Sequence, residues 1–304
     1  MNENGVSICI TAYNTQDYIK ECLDSVVNQS WFKSHNDWEI IVGIDCCNKT
    51  LDYLKTIMHN YKNLRVFMMD SNKGTYITSN TIISNAKYEN IFRFDSDDIM
   101  CSNLVETIMK NKGDCQFVRY CLKNFGCNTQ KGVSWGPIYI SKSLFLKYGG
   151  YKPWLCGADS ELYHRLKKVE YIKTLPYVLM LRRVHKQSLT QSDETGMNSK
   201  LRKEYTNIIK STIITCKADA IIECITNTYK EIEQPLTEIV NQDEYIKQLG
   251  NGQTSDEIVE RYIINDKSDK NKKVESIKKL REDIQSGRII KIPTQNGFVW
   301  KRVK

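Results

Sequence analysis

The densest chemistry in the sequence sits in four residues, Asp95-Ser96-Asp97-Asp98, which place three carboxylates directly after the apolar run Asn90 to Phe94. Crowded carboxylates repel one another and raise each other's pKa, so a buried cluster of them needs a cation to stay ionised. Hard oxygen ligands that share an ion with a phosphate suit Mg²⁺ or Mn²⁺. The same residues carry a second reading, in which Asp97 or Asp98 caps the helix expected to begin near Ser102 or favours its dipole. On residue types alone both readings stand. Two other polar groups close apolar runs in the same way: Thr11 after Val6 to Ile10, and Asp45 after Trp38 to Ile44.

These groups meet only if the elements that carry them lie side by side. Val6 to Thr11 reads as a buried strand, and Ile19, Cys22, Leu23, Val26 and Val27 then recur at helical spacing on one apolar face. Trp38 to Ile44 is a second strand, apolar enough for burial on both faces, with Thr50 to Met58 as its crossover helix. Leu64 to Met69 is a third strand. A helix is expected after Asn72-Lys73-Gly74, although Thr75, Thr78 and Thr81 weaken its propensity. Asn90 to Phe94 is the fourth strand. This alternation predicts βαβ units and a mostly parallel α/β sheet with helices on both faces, which bind ligands at the carboxyl ends of their strands. Thr11, Asp45 and the Asp95 cluster all fall at those ends and are expected to converge on one crevice.

Beyond Cys115 the pattern is mixed. Strands are expected over Gln116 to Leu122, Pro137 to Ile140 and Tyr177 to Val184, with helices over Lys142 to Lys147 and Asp159 to Lys168. From about Asn198 to Gly287 the period is mainly helical, and Arg288 to Pro293 with Gly297 to Val303 is expected to close the chain as a hairpin. A domain boundary is placed near residue 200, dividing a catalytic region (residues 1–200) from a mainly helical C-terminal region (201–304).

Composition narrows the class. With 304 residues, 40% of them hydrophobic, the chain can bury a sizeable core. Its eleven cysteines form no Cys-x-x-Cys pair and read as reduced thiols, which predicts a cytoplasmic protein. No apolar run approaches the roughly 20 residues of a membrane span, and no leader precedes Val6, so a soluble protein is expected, with contact to a membrane surface left open. Part of the net charge of +8 is concentrated in the run from Lys267 to Arg281, read as a solvated helix face because acidic residues are interspersed, or else as a contact for an anionic surface or polymer.

In order and spacing, these elements resemble the family 2 glycosyltransferases of the GT-A fold, from Val6 to about Thr190. The residues that carry the resemblance are Thr11-Ala12-Tyr13-Asn14 after the first strand, Ser25 to Gln29 at the end of the first helix, Asp45 closing the second strand, Asn72-Lys73-Gly74 after the third, and Asp95-Ser96-Asp97 after the fourth. Gly157-Ala158-Asp159-Ser160-Glu161-Leu162 is similar to the family's Glu-Asp motif, and Arg183-Val184-His185 to its Arg-x-His segment. The chain departs from the family in two places: Asp45-Cys46-Cys47-Asn48 stands where Asp-Asp-Gly-Ser is usual, and Ala158 stands where Glu is usual.

The resemblance implies an inverting hexosyl- or N-acetylhexosaminyltransferase that moves a sugar from a nucleotide diphosphate, UDP favoured, to an acceptor hydroxyl. Asp159 would be the general base, with Glu161 the nearest alternative. Asp97 and His185 would hold Mn²⁺ or Mg²⁺. Thr11, Ala12, Tyr13, Asn14, Asp45, Lys73, Gly74, Asp95 and Ser96 would line the nucleotide-sugar pocket, with Arg182, Arg183 and Lys186 as further phosphate candidates. Expected acceptors are a glycan, a lipid-linked sugar or a protein; a nucleic-acid acceptor is disfavoured because no aromatic-and-basic recognition module is present. Trp135 and Trp154 are read either as acceptor-side stacking surfaces or as packing. Outside the resemblance, Asp159 reads as a helix N-cap and His185 as a loop histidine. Two rival functions are a sugar-nucleotide nucleotidyltransferase, which usually carries a Gly-rich phosphate loop that Thr11 to Asn14 is not, and a nucleotide-sugar binding protein without catalysis.

Overall fold

The computed structural model describes residues 4–126, 131–214, 236–239, 289–294 and 297–302. The chain divides into two compact units, Met1–Gln234 and Pro235–Lys304.

The first unit is built on one sheet. β1 (Val6–Ala12), β2 (Trp38–Ile44), β3 (Leu64–Met69) and β4 (Asn90–Asp95) are parallel neighbours in the order β3-β2-β1-β4. β1 is buried at all seven positions and β2 at all but Trp38, as expected of parallel strands covered on both faces. The order reverses direction at β1, so the crevice between the ends of β1 and β4 is the topological switch point. Beyond β4 the sheet becomes mixed. It continues through β8 (Ile138–Ser141), β6 (Phe117–Gly126), β9 (Ile172–Val184) and the two-residue β5 (Ile99–Met100), with β7 (Lys131–Val133) paired to β6.

Helices α1 (Ile19–Val27), α2 (Asn48–Ile57), α3 (Thr75–Ser84), α4 (Leu104–Asn111), α5 (Lys142–Lys147) and α6 (Ala158–Leu166) connect the strands. α1 buries Ile19, Cys22, Leu23 and Val26, the face read from the sequence. α3 forms despite its threonines because it is buried on nearly every side and its polar groups are paired. Thr78 and Thr81 donate back to the carbonyls of Gly74 (3.1 Å) and Ile77 (2.8 Å), and Asn80 exchanges two 2.8 Å bonds with the backbone of Tyr151.

β9 begins five residues earlier than expected. Leu175 pairs with Tyr120 and Val178 with Cys121, so Pro176 and Tyr177 bulge out of the ladder. A proline has no N–H to give to a neighbouring strand, and the sheet accommodates it as a bulge instead of ending there. α7 (Lys200–Ile208) follows, capped by the Ser199 side chain, and runs into a π-helical turn over Ile209–Ile214.

In the second unit, β10 (Leu236–Ile239) is extended where helical period was read. It follows Pro235, whose ring cannot continue a helix, and carries β-branched Thr237 and Ile239. β11 (Ile289–Thr294) and β12 (Gly297–Arg302) pair antiparallel. The rest of the region expected to be helical, including the whole basic run, lies outside the described residues. Among the described residues no helix is long and apolar enough to cross a membrane.

Candidate active site

The ends of β1, β2 and β4 bring the first group of residues together. Thr11 and Asp95 are register partners across the β1/β4 pair. Thr11 Oγ1 lies 2.8 Å from Thr75 Oγ1 in the first turn of α3. Ala12 is buried, its carbonyl accepting from the Asp45 amide at 2.9 Å, whereas Tyr13 is exposed and Asn14 takes a left-handed conformation with φ of 55°. The Asp45 carboxylate is buried. One oxygen accepts from the Lys73 amide at 2.7 Å and the other from the Gly74 amide at 2.8 Å, so Asp45 ties β2 to the start of α3. Burial pushes its carboxyl above the usual carboxylate range, against the pull of those two amides.

In the acidic cluster each side chain has a different partner. Asp95 Oδ1 pairs with Arg93 Nη1 at 2.6 Å; the Arg93 side chain is 3% exposed and the Asp95 side chain 33%. Burial raises the Asp95 carboxyl, repulsion from Asp97 and Asp159 adds to that, and Arg93 opposes it. The Ser96 hydroxyl is buried and donates to Thr15 Oγ1 at 3.0 Å. Asp98 is buried too, and its Oδ1 accepts from the Arg183 amide at 2.8 Å. Burial, with repulsion from Asp97 and Asp95, raises its carboxyl well above the usual range.

The capping reading of Asp97 and Asp98 is therefore corrected. α4 starts at Leu104 behind Asn103, with no side-chain cap bond, and the Asp98 acceptor is spent on β9. The two-residue β5, invisible as period, separates the cluster from that helix.

Asp97 Oδ2 lies 2.9 Å from His185 Nε2 across a sequence separation of 88 residues, with side chains 22% and 16% exposed. The His185 ring rests against Tyr18, centroids 4.8 Å apart. A carboxylate oxygen and an imidazole nitrogen at this separation match two adjacent corners of an octahedron with bonds of about 2.1 Å, which spans about 3 Å. The pair thus fits Mg²⁺ or Mn²⁺ as a partial ligand set. Among the described residues no group of three or more His, Cys, Asp or Glu side chains is placed to hold a metal, so phosphate oxygens and water would have to complete the shell.

Asp159 is the second residue of α6, not its cap. Gly157 holds the cap position at φ of 76°, a conformation other residues adopt only with strain, and no side chain caps the helix. Asp159 Oδ1 accepts from its neighbour's amide at Ser160 (2.9 Å) and from the Tyr76 hydroxyl (3.0 Å). Glu161, the alternative base, is buried and paired through both oxygens to Arg165 at 2.8 Å. Arg165 in turn donates to the carbonyls of Tyr148 and, at 2.6 Å, Gly150. Glu161 is committed to structure.

The loop before β8 joins the two acidic sites. A Cβ on Gly136 would lie 2.9 Å from Arg93 Nη1, 3.5 Å from Asp95 Oδ2 and 3.8 Å from Asp159 Oδ2, so two carboxylate oxygens from distant parts of the chain face one point. Of the phosphate candidates, Lys73 and Lys186 are exposed and Arg182 is half-buried. Arg183 is engaged by the Glu21 carboxylate and the Asp97 carbonyl, its guanidinium over Tyr18 and Phe125. Trp154 stacks on Tyr205 at 4.3 Å, a packing role. Trp135, 40% exposed, carries Arg119 over its ring at 4.1 Å and stands beside Gly136.

Sequence reasoning missed Arg93 and Tyr76. Arg93 had a signal: a lone charge inside an apolar strand, two residues before Asp95 and so on the same face. Tyr76 had none, because its partner is 83 residues away.

The mostly parallel sheet with an acidic cluster at its switch point has the GT-A architecture, and solved structures bear out the fold. Residues 1–349 of Staphylococcus aureus TarS in complex with UDP superpose with a TM-score of 0.53 at 13% identity, covering 99% of this chain and 97% of that one. The mannosyltransferase PcManGT of Pyrobaculum calidifontis, in complex with GDP-Man and Mn²⁺, gives 0.55 at 17% identity, covering 75% and 69%. At these identities the likeness is one of fold. Residues 7–188 match the family described as Glycosyl transferase family 2, and the chain belongs to that family. Among relatives, a poly(ribitol-phosphate) beta-glucosyltransferase of Bacillus spizizenii is 40% identical over 99 residues, 32% of this chain and 15% of that protein. A hyaluronan synthase of Pasteurella multocida is 35% identical over 106 residues, 34% and 10% respectively. The matches thus span a small part of these relatives.

Proposed function

We propose that this chain is an inverting, divalent-metal-dependent glycosyltransferase that moves a hexosyl or N-acetylhexosaminyl group from a nucleotide diphosphate to an acceptor hydroxyl, with residues 1–200 as the catalytic region. The observation that carries the reading is the meeting of Asp95 and Asp159 at Gly136, with Asp97, two residues after Asp95, paired to His185. Asp97 and His185 would hold the ion. When bound, Mn²⁺ or Mg²⁺ acts as a Lewis acid toward the charge that develops on the departing diphosphate. Thr11 to Asn14, Asp45, Lys73, Gly74 and the Asp95-Ser96 turn shape the nucleotide pocket. Asp95 faces the ribose and donor sugar, its charge balanced by Arg93.

The acceptor oxygen forms its bond to the anomeric carbon while the bond to the diphosphate oxygen breaks, and Asp159 takes the acceptor proton. A single displacement from the face opposite the leaving group inverts the anomeric centre. UDP-sugars are the favoured donors, since a TarS structure holds UDP-GlcNAc. Of the expected acceptors a growing glycan is favoured, because the hyaluronan synthase and poly(ribitol-phosphate) glucosyltransferase relatives are named for polymers. The exposed Trp135 beside Gly136 offers a ring on which an acceptor sugar can stack. The chain is proposed to work in the cytoplasm, at or near a membrane surface.

The test is release of free nucleoside diphosphate from a panel of sugar nucleotides with Mn²⁺ present. Slow, metal-dependent hydrolysis of one or two members supports a transferase and identifies the donor. Formation of sugar nucleotide from a sugar phosphate and a nucleoside triphosphate would instead favour the nucleotidyltransferase reading, and binding without turnover the non-catalytic one.

A further inference from the structure

The Ala158 side chain offers Asp159 no polar group, and among the described residues the one side-chain donor to its carboxylate comes from elsewhere in the fold. The contact is supplied by Tyr76, two residues into α3. Its hydroxyl accepts from the Gly157 amide at 3.1 Å and lies 3.0 Å from Asp159 Oδ1. An amide N–H can only donate, so the Tyr76 oxygen is the acceptor of that bond and its own proton points to Asp159. The Ser160 amide donates to the same oxygen. Oδ1 therefore takes two donors, and among the described residues Oδ2 takes none. Oδ2 is also the oxygen that faces Gly136 and, across it, Asp95.

We propose that Tyr76 is a positioning residue that fixes the rotamer of Asp159 and leaves Oδ2 as the oxygen that receives the acceptor proton. This rests on the reading of Asp159 as the base. The phenol is well suited to the task. It is buried, its ring packs on Tyr151 with centroids 5.3 Å apart, and burial together with the Asp159 charge holds its proton on. Its helix also begins at the Gly74 amide held by Asp45, and its neighbour Thr75 bonds to Thr11 and, at 2.9 Å, to Arg93. One helical turn thus connects the nucleotide side of the crevice to the base, which ties the base's orientation to the order of the nucleotide pocket.

The experiment compares Tyr76→Phe, Asp159→Asn and the double variant in Mn²⁺-dependent hydrolysis of UDP-glucose or UDP-N-acetylglucosamine, with water as acceptor. A misoriented base costs turnover and not donor affinity, so Tyr76→Phe is expected to lower kcat by roughly 10-fold or more with donor KM unchanged within about 2-fold. In the Asp159→Asn background the same change is expected to alter kcat by less than about 2-fold, because the residue acts through Asp159. Wild-type kcat in Tyr76→Phe, or equal losses in both backgrounds, overturns the proposal. Near wild-type turnover in Asp159→Asn alone instead removes the base reading on which it rests. Should Tyr76→Phe fail to bind UDP and to melt cooperatively, 3-fluorotyrosine at position 76 preserves the shape. The more acidic phenol draws charge from Asp159, and kcat is expected to fall by about 2-fold or more at constant KM; an unchanged kcat then refutes the proposal.

Discussion

Replacing Arg93 with methionine removes the one charge that faces Asp95 from inside the sheet, and the structure sets the size of the loss. The Arg93–Asp95 contact is 2.6 Å long and its cationic side is 3% exposed. Deleting one partner of a buried ion pair costs about 3–5 kcal/mol, mostly because the other charge is left uncompensated. Asp95 is one-third exposed, so its orphaned carboxylate keeps some water and the lower end applies, about 3 kcal/mol. Little is added by the hydroxyls that Arg93 also serves, since Thr11 and Thr75 remain partners at 2.8 Å and the contact to Ser79 is long at 3.4 Å. For a unit of this size about 3 kcal/mol corresponds to a fall in Tm of roughly 6–12 °C. Urea unfolding in the presence of chelator, so that no cation replaces the guanidinium, reads the effect as a lower midpoint at constant slope. Arg93→Met combined with Asp95→Asn is expected to recover at least half of the loss. A single variant within about 1 kcal/mol of wild type, or no recovery in the double, refutes the account of Arg93 as the charge that makes the Asp95 site tolerable.

Three further outcomes follow from the site. Asp97 and His185 supply only two ligands, so calorimetry should find nucleoside diphosphate binding that needs Mn²⁺ and that Asp97→Asn weakens at least 10-fold, whereas equal affinity with chelator would contradict the metal assignment. Among the described residues the buried Tyr151 hydroxyl has no hydrogen-bond partner, so Tyr151→Phe is expected to leave Tm unchanged or to raise it, and a fall of several degrees would contradict this. Asp45→Asn loses one of two amide contacts and is less stable than wild type. Because burial raises the folded Asp45 carboxyl above its unfolded value, its stabilising share is complete below the ordinary carboxylate range and is lost as pH rises through the folded value; the deficit measured by urea unfolding should therefore be largest near pH 4 and shrink toward neutrality.

Much of this was legible because parallel strands buried on both faces write themselves as unbroken apolar runs. β1, β2 and β4 each end where such a run meets Thr11, Asp45 or Asp95, and their adjacency followed from the crossover helices between them. The less legible parts share a cause, which is dependence on distant partners. β5 is two residues long and exists only because β9 pairs with it. The start of β9 was hidden behind Pro176, which the sheet absorbs as a bulge. Asp98 looked like a capping residue because capping is a local motif, while its acceptor serves the Arg183 amide 85 residues on. Arg93 was readable as a charge in an apolar strand that must be paired; the bond of Tyr76 to Asp159 was not readable at all.

Whether Asp159 takes the acceptor proton is tested by Asp159→Asn with little structural cost. Asparagine can keep its Oδ1 in place to accept from Tyr76 and Ser160, so only the oxygen facing Gly136 changes, from a proton acceptor to an amide group. The measurement is the rate of sugar transfer or donor hydrolysis in this variant, with Mn²⁺-dependent UDP affinity and Tm recorded on the same sample. A base at position 159 requires a rate loss of roughly 10²-fold or more, with affinity and Tm nearly unchanged. Turnover close to wild type would contradict it and remove Asp159 from the reaction.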